Sequence, residues 1–282
     1  MALPDWRLPP GVTRGAWDYT QSRAIADDYD DYHAENTLFE FEENILAETF
    51  GEAPPARAGG AHSDGVIADL GCGSGRALVP LVRRGWRGLA VDLSDAMLDV
   101  VREKAAIDGL PIECVLANLV ELTPDLVADE SADHAMCLFS TLGMIRGRDN
   151  RLAALGHMRR ILKPGGKLVL HVHNFWFNLR DPGGPWWALR SLARGAFGKS
   201  DYETGDKTYP YRGVPNFFLH VFRERELRRD LREANLTVLR WIPLDVGRRH
   251  ALRRPWLAPS LRANGWIIVC ERPKSPSLSG RG

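Results

Sequence analysis

Cysteine is scarce in this 282-residue chain, and its four copies, Cys72, Cys114, Cys137 and Cys270, lie far apart. No Cys-x-x-Cys pair occurs, so the spacing gives no sign of a zinc site or a disulfide framework. No apolar run approaches the ~18 residues of a membrane helix, and the N-terminus lacks the basic stretch and apolar core of a secretory signal. These absences predict a reduced, cytoplasmic protein with no membrane partner.

Net charge is only +1, but each end of the chain is depleted in charge of one sign. Residues 1–64 contain 13 acidic and 4 basic side chains, whereas residues 223–282 contain 14 basic and 6 acidic ones. A basic end can bind nucleic acid. It can also lie near the acidic end and neutralise it. We favour the second interpretation, because the arginines of RERELRRDLRE (223–233) alternate with acids along a predicted helix.

Short apolar segments alternate with helical patterns between residues 66 and 173. Near-continuous apolar strands of this kind are typical of a parallel sheet covered on both faces. Ser94 is a predicted helix N-cap, and Lys163-Pro164-Gly165-Gly166 is a predicted helix stop. The predicted strands are 66–70, 88–93, 112–118, 134–140 and 167–173, with helices at 76–85, 95–109 and 150–162 between them.

Outside this alternating region the pattern changes. Residues 174–219 combine many aromatic residues with Gly and Pro, which is too long and too aromatic for an ordinary connection and indicates a cap. A helix at about 223–234 and segments 236–244 and 265–272 are predicted to complete the sheet with a hairpin. The predicted units are an N-terminal helical segment or lid (1–50, with a helix at about 33–50), a linker (51–65), a cofactor-binding core (66–173), a substrate cap insertion (174–222), a C-terminal helix and strand hairpin (223–272) and a disordered tail (273–282).

The stretch VIADLGCGSGRAL (66–78) places glycines at every second position after an apolar run. A strand, a glycine turn and a helix form the dinucleotide-binding arrangement, which needs glycines at the first, third and sixth positions. Here those positions hold Gly71, Gly73 and Arg76, and the third glycine stands one position early, at Gly75. A P-loop is excluded because no Gly-Lys-Ser/Thr follows.

Two acidic residues narrow the choice of ligand. Asp69 lies two residues before Gly71, where a carboxylate would repel a pyrophosphate and attract an ammonium group. Asp92 ends the next strand, where its two oxygens can accept hydrogen bonds from both ribose hydroxyls. A ligand with a ribose at Asp92, a cationic group at Asp69 and close contact with the glycine backbone would be an adenosine that carries an amino acid. The sequence therefore predicts S-adenosylmethionine, with S-adenosylhomocysteine as its product.

The same residues carry a family resemblance. The stretch Asp69–Gly75, DLGCGSG, resembles motif I of the class I S-adenosylmethionine-dependent methyltransferases. AVDLS (90–94) is similar to their second motif, ANLVEL (117–122) to their third, and LKPGGKLVLHV (162–172) to the segment before their fifth strand. The resemblance covers about 66–173 and extends to about 272. It implies an α/β fold: a doubly wound, mostly parallel seven-stranded sheet with helices on both faces, an antiparallel C-terminal edge hairpin and an aromatic-rich cap.

The resemblance also implies roles for individual residues. Gly71 and Gly73 would face the methionine part, Asp92 would hold the ribose, and Leu93 and Met97 would flank the adenine. Asn118 would face the adenine amino group, where the family commonly has Asp, and Phe139 the far side of the cofactor. Within the matching motifs, Cys72, Gly75 and Leu119 are further candidates for cofactor contact. Tyr29 is a cofactor candidate because its segment, DDYDDYHAEN, is similar to one that folds over the cofactor in small-molecule methyltransferases.

Methyl transfer from a sulfonium needs no obligatory catalytic residue, since alignment supplies much of the rate. A general base helps when the nucleophile carries a proton. His173, on the fifth strand, and His220, after the aromatic insert, are the candidate bases. His171 shares a face with His173; a His-x-His metal site is the less favoured alternative, because no third ligand has sensible spacing. The candidate substrate residues are Tyr32, Trp176 and Tyr211.

FSTLGMI (139–145), after the fourth strand, bears on the acceptor. It contains no Asn/Asp-Pro-Pro-Tyr/Phe motif for amino methylation of DNA bases and no Pro-Cys for a covalent route to cytosine. The aromatic cap favours an apolar or planar small molecule as the methyl acceptor, at O, N or C. Two alternatives stay open: an RNA methyltransferase of the tRNA wobble-uridine type that uses the basic C-terminal part, and a non-catalytic interaction module with the same fold.

Overall fold

The structure, a computed structural model, describes residues 4–55, 64–197 and 202–274. Residues 56–63 of the predicted linker and 275–282 of the predicted tail lie outside the described residues. The strands are β1 (Val66–Leu70), β2 (Arg87–Asp92), β3 (Ile112–Leu116), β4 (Ala132–Cys137), β5 (Leu162–His173), β6 (Asp206–Tyr211), β7 (Val214–His220), β8 (Thr237–Pro243) and β9 (Gly265–Glu271).

Seven of these strands form one sheet in the order β3-β2-β1-β4-β5-β9-β8. The pairs from β3 to β5 are parallel, whereas β9 runs antiparallel to both β5 and β8. The predicted seven-stranded, mostly parallel sheet with an antiparallel C-terminal hairpin is therefore confirmed. Because β9 is antiparallel to both of its neighbours, β8 runs parallel to β5, and the carboxyl ends of β1 to β5 and of β8 meet at one edge.

The helices cover both faces of this sheet. They are α1 (Arg14–Thr20), α2 (Arg23–Asp27), α3 (Tyr29–Tyr32), α4 (Leu38–Phe50), α5 (Leu78–Arg83), α6 (Asp95–Asp108), α7 (Thr141–Met144), α8 (Arg148–Ile161), α9 (Gly184–Phe197), α10 (Glu224–Glu233) and α11 (Pro259–Arg262). Among the described residues, no helix combines the length and the apolar character that crossing a bilayer requires.

Side chains that alternate along the central strands pack into two apolar cores. Ala68 and the strand side chains on its face of the sheet pack against α8 and α10. Ile67 and the strand side chains on the opposite face pack against α4, α5 and α6. This two-sided burial explains why β1 reads as a continuous apolar run. Each large apolar side chain buried in this way stabilises the fold by roughly 1.5–3 kcal/mol. Ser94 caps α6 as predicted, since its hydroxyl accepts a hydrogen bond from Met97 N at 3.3 Å.

Two element boundaries, the starts of β5 and α4, each differ from the prediction by five residues. Helix α8 ends at Ile161, as expected, but β5 begins at once and includes Lys163–Gly166. A register shift between Ala132 and His134 of β4 accommodates this extra stretch. The predicted helix at 33–50 begins only at Leu38, because residues 4–37 instead form α1, α2, α3 and a 3-10 turn.

The acidic side chains near the N-terminus form ion pairs mainly with residues outside the basic C-terminal segment. One ion pair in the described part of the chain, Arg240–Glu48 at 3.1 Å, joins the acidic N-terminal segment to the basic C-terminal one. Direct neutralisation of one end by the other, which the sequence favoured, is therefore only a small part of the pattern. The other partners of N-terminal acids include Arg76 for Glu42, Lys104 for Asp30 and Arg212 for Asp28.

Residues 174–197 and 202–222 lie over the carboxyl edge of the sheet. They form a 3-10 turn (Phe175–Arg180), α9 and the β6–β7 hairpin, whose turn residues Arg212 and Gly213 both have positive φ. Helix α1 packs against β7 so closely that a Cβ on Gly15 would lie 2.0 Å from the Asn216 carbonyl oxygen. Residues 4–37 and the hairpin thus form one cover over the sheet edge.

The contact at Gly15 gives a first test of this cover. We expect Gly15→Ala to destabilise the docked N-terminal segment by about 1–3 kcal/mol, because the obstructing atoms are backbone and the clash cannot be relieved by a side-chain rotation. Hydrogen exchange of the amides of α1 should therefore accelerate. Gly156→Ala is the matched control, since a Cβ there meets nothing within 4 Å. Equal exchange rates in the two variants would contradict the close packing of α1 on β7.

Candidate functional site

A cavity of about 440 Å³ lies at the carboxyl edge of the sheet, beneath the N-terminal segment and the hairpin. Of the predicted cofactor residues, all except Gly75 line it: Tyr29, Asp69, Gly71, Cys72, Gly73, Asp92, Leu93, Met97, Asn118, Leu119 and Phe139. The predicted residues His173, Tyr32 and Tyr211 line it as well, whereas His220 and Trp176 do not.

The glycine turn after β1 brings bare backbone to the cavity. Gly71 has φ +85° and donates its N–H to Val91 O at 2.7 Å, and a Cβ there would lie 2.3 Å from the Thr141 side chain. Gly73 has φ +52°, and the space beside it is open up to the Tyr29 ring at 3.9 Å. Glycine is therefore required at 71 by sterics, and at 73 it leaves room for a ligand.

Gly75 lies outside the cavity, so the structure does not support its predicted contact with a cofactor. Its φ is +74°, and a Cβ there would lie 3.0 Å from Val101 of α6. The absence of a side chain at Gly75 therefore allows the glycine turn to pack closely against α6.

Asp92 is held rigidly at the end of β2. Its Oδ2 accepts a hydrogen bond from Gly73 N and its Oδ1 one from Ser94 N, both at 2.8 Å. A carboxylate has about four lone-pair sites, so each oxygen can still accept one further hydrogen bond. Burial raises the pKa of Asp92, and the backbone N–H groups of Ser94, Gly73 and Leu93 oppose that shift.

Asp69 is buried at the same edge, and few interactions stabilise its charged form. Burial raises its pKa to about 7, the nearby charges of Asp92 and Glu42 add to the shift, and only Arg76 opposes it. Within the described ranges, no hydrogen bond to its carboxyl group contributes to that pKa. A buried carboxyl group without a donor favours a cationic partner in the adjoining cavity.

Further along this edge the lining is largely apolar. Leu93 and Met97 follow Asp92, and Leu119 follows Asn118 after β3. The Asn118 side chain donates to Pro10 O at 2.9 Å, and its oxygen accepts from Val120 N at 3.2 Å. Asn118 thus attaches the N-terminal segment to the sheet edge, a role that the sequence did not indicate, while its oxygen retains one free lone pair.

Strained backbone marks the end of β4. Phe139 and Ser140 have φ +50° and +63°, conformations that non-glycine residues rarely adopt. The Ser140 N–H donates to His171 O at 3.0 Å, which holds this turn against β5. The Phe139 ring packs edge-on against the His33 ring, with centroids 5.2 Å apart. The strained turn therefore positions Phe139 in the cavity.

Aromatic rings from the N-terminal segment and the hairpin enclose the other end. Tyr32 and Tyr211 meet edge-on with centroids 6.5 Å apart, and Tyr211 packs on Phe217 at 5.1 Å. The Tyr211 hydroxyl lies 3.3 Å from His33 Nε2. Burial raises the pKa of Tyr211 to about 12, so its phenol is neutral at physiological pH.

Two histidines face this aromatic end. Burial, with help from nearby positive charges, lowers the pKa of His33 to about 4 and that of His173 to about 3. Both imidazoles are neutral at pH 7 and can accept a proton or a hydrogen bond. His173 was predicted here, and His33 was missed although it directly follows Tyr32. The aromatic spacing of that segment was the available signal.

Two arginines were also missed as lining residues. Arg76 pairs with the buried Glu42 at 2.7 Å and stacks over the Phe39 ring at 3.5 Å. Arg248 reaches the cavity from the loop between β8 and β9. Arg76 was noted in the sequence only for the glycine that it replaces.

His220 is corrected from a catalytic candidate to a structural one. It is fully buried, with Nδ1 2.8 Å from Asp206 Oδ1 and Nε2 3.0 Å from Glu226 Oε1. Arg151 joins the network through Glu203 at 2.5 Å. Glu203, His220 and Glu226 place one potential metal-ligand atom each within 4.8 Å of one another, but both His220 nitrogens are already engaged.

Trp176 is likewise placed outside the cavity, so its predicted substrate contact is not supported. Its ring packs edge-on against Phe175, with centroids 5.0 Å apart. Phe175 belongs to the small apolar cluster beneath α9, where Trp176 is a partly buried neighbour. Aromatic composition alone could not separate rings that pack beneath the cap from rings that line the cavity.

With this geometry in place, known proteins show what the chain resembles. Residues 67–166 match the family model described as "Methyltransferase domain". Residues 67–166 form a methyltransferase domain. The predicted family is thereby confirmed at the level of the domain, and with it S-adenosylmethionine as the cofactor of that domain.

One relative and two solved structures illustrate the likeness. The domain is 31% identical over 121 residues to glycine N-methyltransferase of Mus musculus, which covers 39% of this chain and 40% of that protein. The CcbJ methyltransferase from Streptomyces caelestis superimposes with a TM-score of 0.61 at 19% identity, covering 91% of this chain and 99% of that one. The 1,6-didemethyltoxoflavin-N1-methyltransferase of Burkholderia thailandensis, solved with bound 1,6-didemethyltoxoflavin and S-adenosylhomocysteine, gives a TM-score of 0.57 at 17% identity, covering 95% and 93%.

The sequence match is limited to the cofactor-binding part. The chain spans about two fifths of the length of the relatives it matches. The structural likeness, below 25% identity, establishes the shared fold. The residues beyond 166, which include the hairpin and Arg248, lie outside the matched family model.

The methyltransferase domain provides the chemistry that S-adenosylmethionine needs. Asp69, buried without a hydrogen-bond donor, suits the cofactor's ammonium group. Asp92 retains acceptor capacity for two ribose hydroxyls, and Gly73 leaves space for close approach of the ligand. The residues present therefore fit the cofactor.

We expect Asp69 to make cofactor binding sensitive to pH. Its carboxyl group is neutral below its pKa of about 7, and an ammonium group favours the ionised form. Affinity for S-adenosylhomocysteine should therefore fall as pH drops from 8 to 6, with proton release on binding at the lower pH. Asp69→Asn should weaken binding at pH 8 by about 10-fold or more and abolish the pH dependence. Calorimetry in two buffers of different ionisation enthalpy measures both effects. If the affinity of Asp69→Asn changes with pH as steeply as that of the wild-type protein, this role of Asp69 is contradicted.

His220 makes the cap sensitive to pH in a different way. Burial disfavours the charged imidazole, but hydrogen bonds to Asp206 and Glu226 outweigh it and raise the pKa of His220 above 6.5. Its ionic contribution is fully present below pH 6.5 and is lost as pH rises through the raised folded pKa. His220→Gln should therefore lower the unfolding free energy by about 3–5 kcal/mol at pH 6, and by less at pH 9. His250→Gln, at an exposed position, is the control. If the loss of unfolding free energy in His220→Gln grows with pH, the assignment of His220 as a charged, ion-paired group is contradicted.

Proposed function

We propose that this protein transfers a methyl group from S-adenosylmethionine to a small, planar aromatic acceptor. The observation that carries the proposal is a single cavity with the predicted cofactor residues at one end and an aromatic enclosure at the other. A cavity of about 440 Å³ falls within the usual range of small-molecule sites. The 1,6-didemethyltoxoflavin-N1-methyltransferase shares the fold and binds a small acceptor, as its description states.

At the cofactor end, the chain's residues would bind and orient. Asp69 would hold the ammonium group and Asp92 the ribose hydroxyls, while Gly71 and Gly73 would allow the methionine part to approach the backbone. Leu93 and Met97 would contact the adenine, with the free lone pair of Asn118 directed to its amino group. Tyr29 and Phe139 would close this end from the N-terminal segment and from β4. Cys72 and Leu119 would complete its walls.

The cofactor supplies an already activated methyl group, so the protein's task is to align the acceptor and exclude water. Tyr32, Tyr211 and Phe217 form an apolar wall against which a planar ring can stack. The neutral imidazoles of His33 and His173 face the same space and would accept a proton from an acceptor hydroxyl or amino group. His33 Nε2 lies 3.3 Å from the Tyr211 hydroxyl, which links this histidine to the aromatic wall.

The RNA alternative receives less support from the arrangement of basic residues. Of the seven arginines that would form an RNA face, only Arg248 lines the cavity; the seven are Arg228, Arg229, Arg232, Arg248, Arg249, Arg253 and Arg254. Arg228 pairs with Glu224 and stacks on Trp241, and Arg229 pairs with Asp230. Retention of Asp69 and Asp92 in the cavity argues against a non-catalytic module. All four cysteines are free, which is compatible with a cytoplasmic setting.

Cofactor binding and acceptor class can be tested separately. Wild-type protein should bind S-adenosylhomocysteine in the micromolar range or tighter, and Asp92→Ala should weaken binding by about 10–100-fold. Asp125→Ala, at an exposed carboxylate, should leave binding unchanged. Label from methyl-tritiated S-adenosylmethionine should then enter a low-molecular-weight extract fraction. Absence of cofactor binding would refute the methyltransferase proposal, and nuclease-sensitive label in purified tRNA would refute the small-molecule acceptor.

A further inference from the structure

Resting on the proposed function, we infer that the acceptor is an aryl carboxylate and that Arg248 binds its carboxylate group. Arg248 lies in the loop between β8 and β9, beyond the part of the chain that matches the methyltransferase family model. Its position, its backbone conformation and its lack of a counter-charge each point to an anion at the acceptor end of the cavity.

The sheet order places Arg248 on the acceptor side. Asp92 follows β2, near one edge of the sheet, whereas Arg248 follows β8, the strand at the opposite edge. His173, at the end of β5, lies between them in the strand order. The positive charge of Arg248 acts on His33, His173 and Tyr211, all of which line the aromatic end.

The loop holds Arg248 in a strained conformation. Arg248 has φ +58°, which costs an arginine about 1 kcal/mol. Its N–H donates to Asp245 O at 3.1 Å, while Asp245 Oδ1 accepts from Arg249 N at 2.9 Å. The Thr37 hydroxyl donates to Gly247 O at 2.7 Å and fastens the loop to the N-terminal segment. Such strain is typically retained where a side chain must be aimed.

Arg248 is half-buried and has no ion-pair partner in the described part of the chain. Burial lowers its pKa, and no hydrogen bond contributes to that pKa. Glu42, the acid whose charge acts on it, is already paired with Arg76. Tyr211, with its pKa raised to about 12, supplies no negative charge. A half-buried guanidinium without a counter-charge favours an anionic ligand, and its planar fork suits a carboxylate.

The methionine carboxylate of the cofactor is the competing anion, and Arg76 is better placed for it. Arg76 immediately follows the glycine turn, on the cofactor side, and its Nη1 is buried without a hydrogen-bond partner in the described structure. Arg76 also lines the cavity. Two cations therefore face two halves of one cavity, and we assign Arg76 to the cofactor and Arg248 to the acceptor.

The neighbouring rings give the acceptor its shape. Tyr209, Tyr211 and Phe217 pack against one another with centroids 5.1–6.3 Å apart and line the cavity from the hairpin. A flat aromatic body on these rings, with its carboxylate on Arg248, would direct its remaining edge toward the cofactor. A hydroxyl or amino group on that edge would be the methylated atom, with its proton passing to His33 or His173.

A matched pair of probes tests the charge requirement without knowledge of the natural acceptor. 2-Naphthoate and 2-naphthamide have nearly the same size and differ in charge. Calorimetry on the protein saturated with S-adenosylhomocysteine should show 2-naphthoate binding at least about 10-fold more tightly than the amide. Arg248→Gln should reduce this ratio to about 1, and Arg248→Lys should retain part of it. Arg249→Gln, an exposed neighbour that does not line the cavity, should leave the ratio unchanged.

The outcomes separate this inference from the proposed function. If 2-naphthoate binds no more tightly than its amide, or if Arg248→Gln leaves the ratio intact, the assignment is overturned while the methyltransferase proposal stands. If Arg248→Gln instead weakens the binding of S-adenosylhomocysteine by 10-fold or more, Arg248 binds the cofactor and the inference is likewise overturned. If wild-type protein fails to bind S-adenosylhomocysteine, the proposed function itself falls.

Discussion

Parallel pairing of β1 with both β2 and β4 is the constraint on which the rest of the structure depends. It brings Asp69 and Asp92 to one edge, because parallel strands end on the same side. The Asp92 carboxylate then joins the glycine turn to the start of α6 through Gly73 N and Ser94 N. One side chain thus fixes a loop, a strand end and a helix start before any ligand is present.

The cofactor half of the site could be predicted from sequence because its chemistry is local. Asp69, Gly71 and Gly73 lie within five residues, and the turn that they form depends on backbone conformation that only glycine adopts easily. Asp92 is separated from them by a single strand–helix unit with a regular hydrophobic pattern. Local patterns of this kind determine both the sheet and its carboxyl edge.

The acceptor half could not be predicted to the same degree, because it depends on distant contacts. Helix α1 is held by the backbone of β7, about two hundred residues away, and its seven residues have no strong amphipathic pattern. His220 ends an aromatic strand and resembled a base, but its two acidic partners come from β6 and α10. Arg248 was not identified as a cavity residue, since nothing in its sequence neighbourhood indicates that the loop turns inward.

The hydrogen bond from Asn118 to Pro10 fixes one end of a segment that covers the whole cavity. Residues 4–37 are attached at the cofactor end through Pro10 and at the acceptor end through Tyr32 and His33. One continuous segment therefore covers both ends of the cavity, and a single stretch of backbone separates the whole cavity from solvent on that side.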